Sequence, residues 1–380
     1  MKDRILFVAT TDIHRKSGGG YAHMAFYKAF FNAYSDRLDI IQFKEFQKNG
    51  DVNSFGVPRQ SLAKKVGCLM KGVIHRFNPW LLDFLKRDSN KYGSIIINSG
   101  IVGDIIDDIK KHVENVIIIH HNCEVDFQMD NNGPTTLGGI FPYFVKRNEK
   151  KSYLKADLNL FLTEHDRQRF VQLYGKIDSS KTFVIGVFDT EDFLPPCNGK
   201  TQSNILCITG GLNNVQSIKG IKDFQKYLGV INEIFEKRYK IIIAGRNPGN
   251  YINRLCSLNE KLHLVPNPID MNNVISNAGI FLCPINVGSG LKLRIMDGLR
   301  LGKPILTHEV SAYGYEPFYN EEWFQVYNDE NSFENGLLAI LNYIESTPNH
   351  FDIIRGAYSK YFSYTCGSTR LLNIVDHLVR

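Results

Sequence analysis

Short apolar runs, rich in isoleucine, valine and leucine, recur along the whole chain and are continuous where a half-wet strand would alternate. RILFVAT (4–10), LDIIQF (38–43), SIIIN (94–98), NVIIIHH (115–121), LNLFLT (158–163) and TFVIGV (182–187) come first. NILCITG (204–210), YKIIIAG (239–245), LHLVP (261–265), GIFLCP (279–284) and KPILTH (303–308) follow. A run that is apolar throughout suits a parallel strand covered on both faces. Longer helical patterns separate the runs, and strands alternating with helices predict a doubly wound α/β architecture. At 380 residues the chain exceeds what one core ordinarily serves. The stretch LPPCNGKTQSN (194–204), rich in Pro, Gly, Ser and Asn, reads as the break. The expected organisation is therefore a Rossmann-like domain over 1–194, a linker over 195–203 and a second such domain over 204–351. Residues 352–380 read as a C-terminal helical segment, and crossing back to the first domain is one course open to it.

Composition removes several classes of function. No stretch approaches the roughly 20 apolar residues of a membrane-spanning helix. MKDRILFVAT carries too short an apolar run for a signal peptide. Seven cysteines, an odd number with no C-x-x-C pair, fall mostly inside apolar runs and suit a reduced, cytoplasmic setting. A net charge of +6 points to an anionic ligand or surface without singling out nucleic acid, and no nucleic-acid partner is expected. Neither H-E-x-x-H nor a Cys/His quartet occurs, so neither a metal site nor a cofactor is expected.

The segment GSGLKLRIMDGLRLGKP (288–304) carries the strongest chemical signal. It reads as a glycine turn running straight into a helix, with Lys292 and Arg294 in the first turn. A helix N-terminus already bears about half a positive charge, so cations there need a reason. A diphosphate supplies one: backbone N–H groups after Gly288, Ser289 and Gly290, together with the two cations, would hold it at the C-terminal edge of a parallel sheet. Leu291, Ile295 and Leu299 give the helix a buried face, and Asp297 could accept hydrogen bonds from ribose hydroxyls. The plainer alternative makes Arg294 and Asp297 an i,i+3 surface pair with Lys292 solvated.

Two further stretches point to the same chemistry. TTDIHRKSGGGYAHMAF (10–26) lacks the dinucleotide G-x-G-x-x-G spacing, which disfavours a nicotinamide dehydrogenase, yet Gly18, Gly19 and Gly20 lead into a helix able to offer N–H groups to an anion. VIIIHHNCEVDF (116–127) ends a strand in His120, His121 and Asn122, with Glu124 close behind. Polar groups at a strand's C-terminal end belong at a ligand site, although a His-His pair is as often structural. The loop DNNGPTTLGGIFP (130–142) is glycine-rich, as functional loops often are.

Taken in order, these stretches resemble the retaining GT-B glycosyltransferases of the large bacterial surface-polysaccharide family. GSGLKLRIMDGLRLGKPILTH is similar to that family's G-x-G-x-x-x-K-x-x-E-A-x-x-x-G-K-P-V-V-x-T signature, and HHNCEVDF to its H-N-x-E segment. LFLTEHDRQRF (160–170), VIGVFDTEDF (184–193), ITGGLNNVQSIKGIKDF (208–224) and IIIAGRNP (241–248) resemble further family segments. The resemblance implies transfer of a sugar from a nucleotide-diphosphate sugar to a glycan or lipid-linked acceptor, with retention of configuration and no metal. It implies His121, Lys219 and Arg294 as catalytic groups. Donor binding would fall to Gly18, Gly19, Gly20, Gly210, Gly211, Arg246, Gly288, Ser289, Gly290, Leu291, Lys292 and Asp297. His120, Asn122 and Glu124 would serve the acceptor. This sequence departs from the family at Ser289, where the first carboxylate of the paired-glutamate motif is usual, and at Gly211, where an arginine is frequent. Those departures keep two alternatives open: a catalytically silent GT-B protein that binds nucleotide or glycan, and a nucleotide-sugar epimerase.

Residues 61–87 hold six Lys/Arg and one Asp. On a helical projection Leu62, Val66, Leu69, Met70, Val73 and Phe77 fall opposite Lys64, Lys65, Lys71, His75 and Arg76. Such a segment can lie on an anionic membrane at the inner face of the cytoplasmic membrane, or pack its apolar side on the sheet as any surface helix does.

Overall fold

Each apolar run becomes a strand. In the computed structural model, which describes residues 3–10, 13, 18–42, 54–56, 78–88, 91–132, 140–196 and 202–379, the chain divides into two compact units. One comprises Met1–Glu191 with Tyr364–Arg380, the other Asp192–Ser363.

The first unit is built on a seven-stranded sheet: β1 (Arg4–Val8), β2 (Leu38–Gln42), β3 (Ser54–Gly56), β4 (Tyr92–Ile97), β5 (Asn115–His120), β6 (Leu158–Phe161) and β7 (Thr182–Val184), in the spatial order β3-β2-β1-β4-β5-β6-β7. Every pairing is parallel, with Ile5 opposite Leu38 on one side and Ser94 on the other. The strands are mostly apolar because helices cover both faces, and β4 and β2 are buried at every position. The chain builds outward from β1 to β3 and then returns to place β4 on the other side of β1. The carboxyl ends of β1 and β4 therefore flank a topological switch point, where ligands bind in open α/β sheets.

The second unit repeats the scheme with six strands: β8 (Gln202–Gly211), β9 (Lys240–Arg246), β10 (Leu262–Pro266), β11 (Ala278–Cys283), β12 (Ile305–His308) and β13 (Phe324–Tyr327), ordered β10-β9-β8-β11-β12-β13 and parallel throughout. Its switch point lies between β8 and β11. Leu206, Ile208, Ile241, Ile243, Ile280 and Leu282 form one apolar layer that the helices close over. Full burial of such a side chain contributes about 1.5–3 kcal/mol before chain entropy is counted.

The helix Tyr364–Val379 packs in the first unit, against the helix Gly18–Tyr34 and β4. Ser94 Oγ donates to the Leu378 carbonyl at 2.6 Å, Tyr34 OH to Asp376 Oδ1 at 2.9 Å, and Arg370 Nε to the Ile185 carbonyl at 2.6 Å. Sequence reading missed β3 and β13. β3 has three residues, and β13 is an edge strand whose FQVY interleaves a glutamine.

Candidate functional site

In the second unit the site is built at the switch point. After β11 the chain turns through Gly288 at φ 95° and Gly290 at φ 76°, backbone that an L side chain rarely adopts. A Cβ at Gly288 would also meet the Gln216 amide at 2.1 Å. The helix that follows begins only at Arg294 and is seven residues long, so Lys292 precedes it and does not stand in its first turn. Lys292 is 7% exposed. Its Nζ donates to the carbonyl oxygens of Gly288 at 3.0 Å, Ser289 at 2.9 Å and Gly290 at 3.0 Å. An ammonium has three donors, and all three are committed to the turn. Lys292 is therefore no solvated surface cation; its contacts clamp the glycine turn. Tyr315 OH holds it from the far side, donating to the Lys292 carbonyl at 3.0 Å.

Arg294 runs the other way, across to β8. Its Nη1 donates to the Thr209 carbonyl at 2.7 Å, and both Nη atoms lie 3.5 Å from Ser217 Oγ. The guanidinium lies where a Cβ at Gly210 would be, 2.5–2.8 Å from it. Gly210, at φ 145°, is thus the residue that admits the arginine. The cation arrives at the end of the strand where Gly211 offers no side chain. Lys219 is exposed on the helix Val215–Phe224, two residues beyond Ser217. Its neighbour Gly220 presses so closely on the chain after β11 that a Cβ would meet the Pro284 carbonyl at 2.6 Å. One cation, Arg294, is thus held at the end of β8, and a second, Lys219, stands exposed on the helix that follows that strand.

The remaining donor candidates of this unit differ in exposure. Asp297 is 44% exposed at its side chain and pairs with Arg300 at 3.3 Å, in place of the Arg294 pairing considered from sequence. Ser289 and Leu291 are half-buried, and Arg246 is exposed at the end of β9, opposite Gly211 in the sheet register. Beyond β9 and β10, Asn247 (φ 52°) and Asn267 (φ 49°) both adopt left-handed backbone, and Asn267 Oδ1 accepts from the Asn247 N–H at 2.8 Å. Strained positions of this kind collect at ligand sites. Sequence reading singled out neither asparagine, although asparagine is the non-glycine residue that best tolerates this conformation.

In the first unit the carboxyl edge is organised around His121. Its ring stacks on His23 at 4.4 Å between centroids and 11° between planes, with Phe26 edge-on at 5.8 Å. His121 Nε2 makes a short hydrogen bond with Asn98 Oδ1, and Asn98 Nδ2 lies 2.5 Å from His23 Nδ1. Sequence reading named neither His23 nor Asn98, even though Asn98 directly follows β4 at the switch point. Burial holds His121 well below the usual imidazole range and His23 down to about 4. Gly18, Gly19 and Gly20 form the first turn of the helix that carries His23.

His120, which the resemblance places at the acceptor, lies in the core. It is 1% exposed, stacked on Phe161 at 4.9 Å with Phe170 edge-on at 4.6 Å, and its Nε2 pairs with Asn159 Oδ1 at 2.8 Å. A strand alternates its side chains, so the last residue of β5 points into the core while its successor reaches the edge. Glu124 opens the helix Glu124–Asn132, and burial raises its carboxyl to about 7. Behind it Glu149, 0% exposed, accepts from the Glu124 N–H at 2.7 Å and from Tyr174 OH at 2.6 Å, and burial raises it to about 8. Asn122 is half-buried beside them, its Oδ1 without a partner among the described residues. Sequence gave no sign of Glu149, which lies inside a charged helix and reads as surface.

Of the segment 61–87, residues 61–77 lie outside the described residues, as do 133–139 of the glycine-rich loop. Residues 78–87 form a helix with Leu81, Phe84 and Leu85 buried, Trp80 stacked on Phe84 and Lys86 and Arg87 exposed. No helix among the described residues is long and apolar enough to cross a membrane.

No family model matches the chain. No curated protein matches it in sequence either. Solved structures do. Sucrose-phosphate synthase from Thermosynechococcus elongatus superposes with a TM-score of 0.72 at 14% identity, covering 99% of each chain. HepE from Anabaena in complex with UDP gives 0.68 at 11% identity, over 98% of this chain and 100% of that one. A glycosyltransferase from Rickettsia africae gives 0.68 at 13%, over 100% and 99%. The fold is GT-B. Its two doubly wound units are the sheets described above, and each GT-B unit here carries its polar constellation at its own switch point or on the adjoining carboxyl edge.

Proposed function

We propose that this GT-B protein transfers a sugar from a nucleoside-diphosphate donor to a glycan or lipid-linked acceptor, with retention of configuration and without a metal, in surface-polysaccharide or related glycoconjugate assembly in the cytoplasm. The observation that carries the reading is the placement of Arg294, whose guanidinium reaches the end of β8 against Gly210. Departure of a nucleoside diphosphate builds negative charge on the β-phosphate, and fixed cations aimed at that position stabilise it as it develops. Arg294 and Lys219 then do what a divalent ion does in other transferases. Arg246, Asp297 and the loops bearing Asn247 and Asn267 would receive the nucleoside, and Glu124, near neutrality, suits proton exchange with an acceptor hydroxyl. Solved structures of the same fold that hold UDP or UDP-glucose make UDP-sugars the first donors to test.

The test is turnover. Purified protein incubated with UDP-sugars and candidate acceptors should release UDP in chelator as well as in magnesium, and the product should keep the donor's anomeric configuration. Arg294→Ala should lower kcat about 100-fold or more. Nucleotide binding without release of UDP from any donor would instead favour the silent reading that Ser289 and Gly211 suggest. Isomerised donor in the absence of acceptor would favour an epimerase.

A further inference from the structure

A carboxamide has one end that only donates and one that only accepts. Asn98 Oδ1 meets His121 Nε2, so His121 donates there and carries its proton on Nε2. Asn98 Nδ2 meets His23 Nδ1, so His23 accepts there and carries its proton on Nε2 as well. The amide is itself held in place: the Asn98 N–H donates to the Val8 carbonyl at 2.9 Å, and Thr10 Oγ1 to the Asn98 carbonyl at 3.3 Å. The two rings stack face to face, an arrangement that two neutral imidazoles tolerate and two imidazoliums would not.

We infer that Asn98 and His23 are positioning residues which fix His121 as the neutral Nε2–H tautomer and so leave its Nδ1 as a hydrogen-bond acceptor for a hydroxyl of the sugar substrate. The inference rests on the transferase reading for its substrate and on the geometry for its tautomer. His121 Nδ1 has no hydrogen-bond partner among the described residues. The titratable groups acting on the ring are His23 and His120, and burial keeps both of them neutral too. The chemistry requires that neutrality. Glycosyl transfer passes through an oxocarbenium-like sugar, against which an imidazolium would work and a neutral acceptor would not. His23 lies one turn into the helix whose first residues are Gly18–Gly20, so the same stack ties that glycine turn to His121.

The test is the imidazole 15N spectrum of the whole protein labelled at histidine, at neutral pH, with the His121 signals identified by their loss in His121→Gln. The expected result is a protonated Nε2 and an unprotonated Nδ1; an Nδ1–H tautomer or a doubly protonated ring would overturn the inference. In Asn98→Asp a carboxylate replaces the amide. The pH at which His121 or His23 titrates should rise by about a unit or more, and kcat at neutral pH should fall about ten-fold or more. UDP affinity, set by residues of the other unit, should stay unchanged. An unmoved titration would again overturn the inference. The spectrum does not depend on turnover, so a protein with the expected tautomer and no transferase activity would sink the proposed function and not the tautomer assignment.

Discussion

Lys292 shows how far a residue's chemistry depends on the few ångströms around it. Its charge is spent on three carbonyls of its own turn. Lys292→Met should therefore destabilise the second unit by about 2–3 kcal/mol, the range for charge-assisted hydrogen bonds whose acceptors are left buried. Lys292→Arg should fail to restore it, because a planar fork does not fit three converging carbonyls. Urea unfolding of the two variants against the parent checks both statements. The first unit carries opposed proton linkages. Burial raises Glu124 and Glu149 from the ordinary 4.5 to about 7 and about 8, so across that window the folded state holds more protons than the unfolded one and stability falls as pH rises. His23 and His120 are lowered to about 4, so their contribution is complete above 6.5 and is lost as pH falls below it. Glu149→Gln should remove much of the decline between pH 6.5 and 8 and leave the acid limb intact. Unfolding midpoints measured at half-unit pH steps would show it.

Among the elements, strands were the most legible because their continuous apolar runs follow from burial on both faces of a parallel sheet. What escaped was short or at an edge, as with β3 and β13, where little of the strand is buried. The glycine turn was legible from Gly288 and Gly290, yet the length of the helix after it was not. Nothing local to the sequence says that Lys292 folds back or that Arg294 reaches a strand 85 residues away. Those are tertiary facts, as is the Glu149 carboxylate behind Glu124. Gly210 is the element-scale test of the Arg294 contact. In Gly210→Ala the new Cβ would displace the guanidinium, so UDP affinity should fall about ten-fold while Gly229→Ala, open on every side, leaves it unchanged. Calorimetric titration of both variants decides, and equal affinities would remove Arg294 from the nucleotide site.

At the scale of the molecule, two parallel sheets and their switch points persist in proteins 11–14% identical to this one. Strand burial, helix cover and right-handed crossovers constrain residue class far more than identity, which is how the fold outlasts recognisable sequence. The fold does not name the donor, and the chemistry must be argued from Arg294, Lys219 and His121. The final helix shows the same limit: its helical character was evident, while the unit it packs against depends on Ser94, Tyr34 and Ile185, far away in sequence. The central claim is that Arg294 and Lys219 form a diphosphate site needing no metal. It is tested most directly by the thermal shift of the protein with UDP, GDP, ADP, CMP and dTDP, each with magnesium and with chelator. Ligand at 100 times its Kd should stabilise the native state by about 2.7 kcal/mol. The account predicts a shift with one diphosphate, equal in magnesium and chelator, and absent in Arg294→Ala. A shift that appears only with magnesium, or that survives the loss of Arg294, would contradict it.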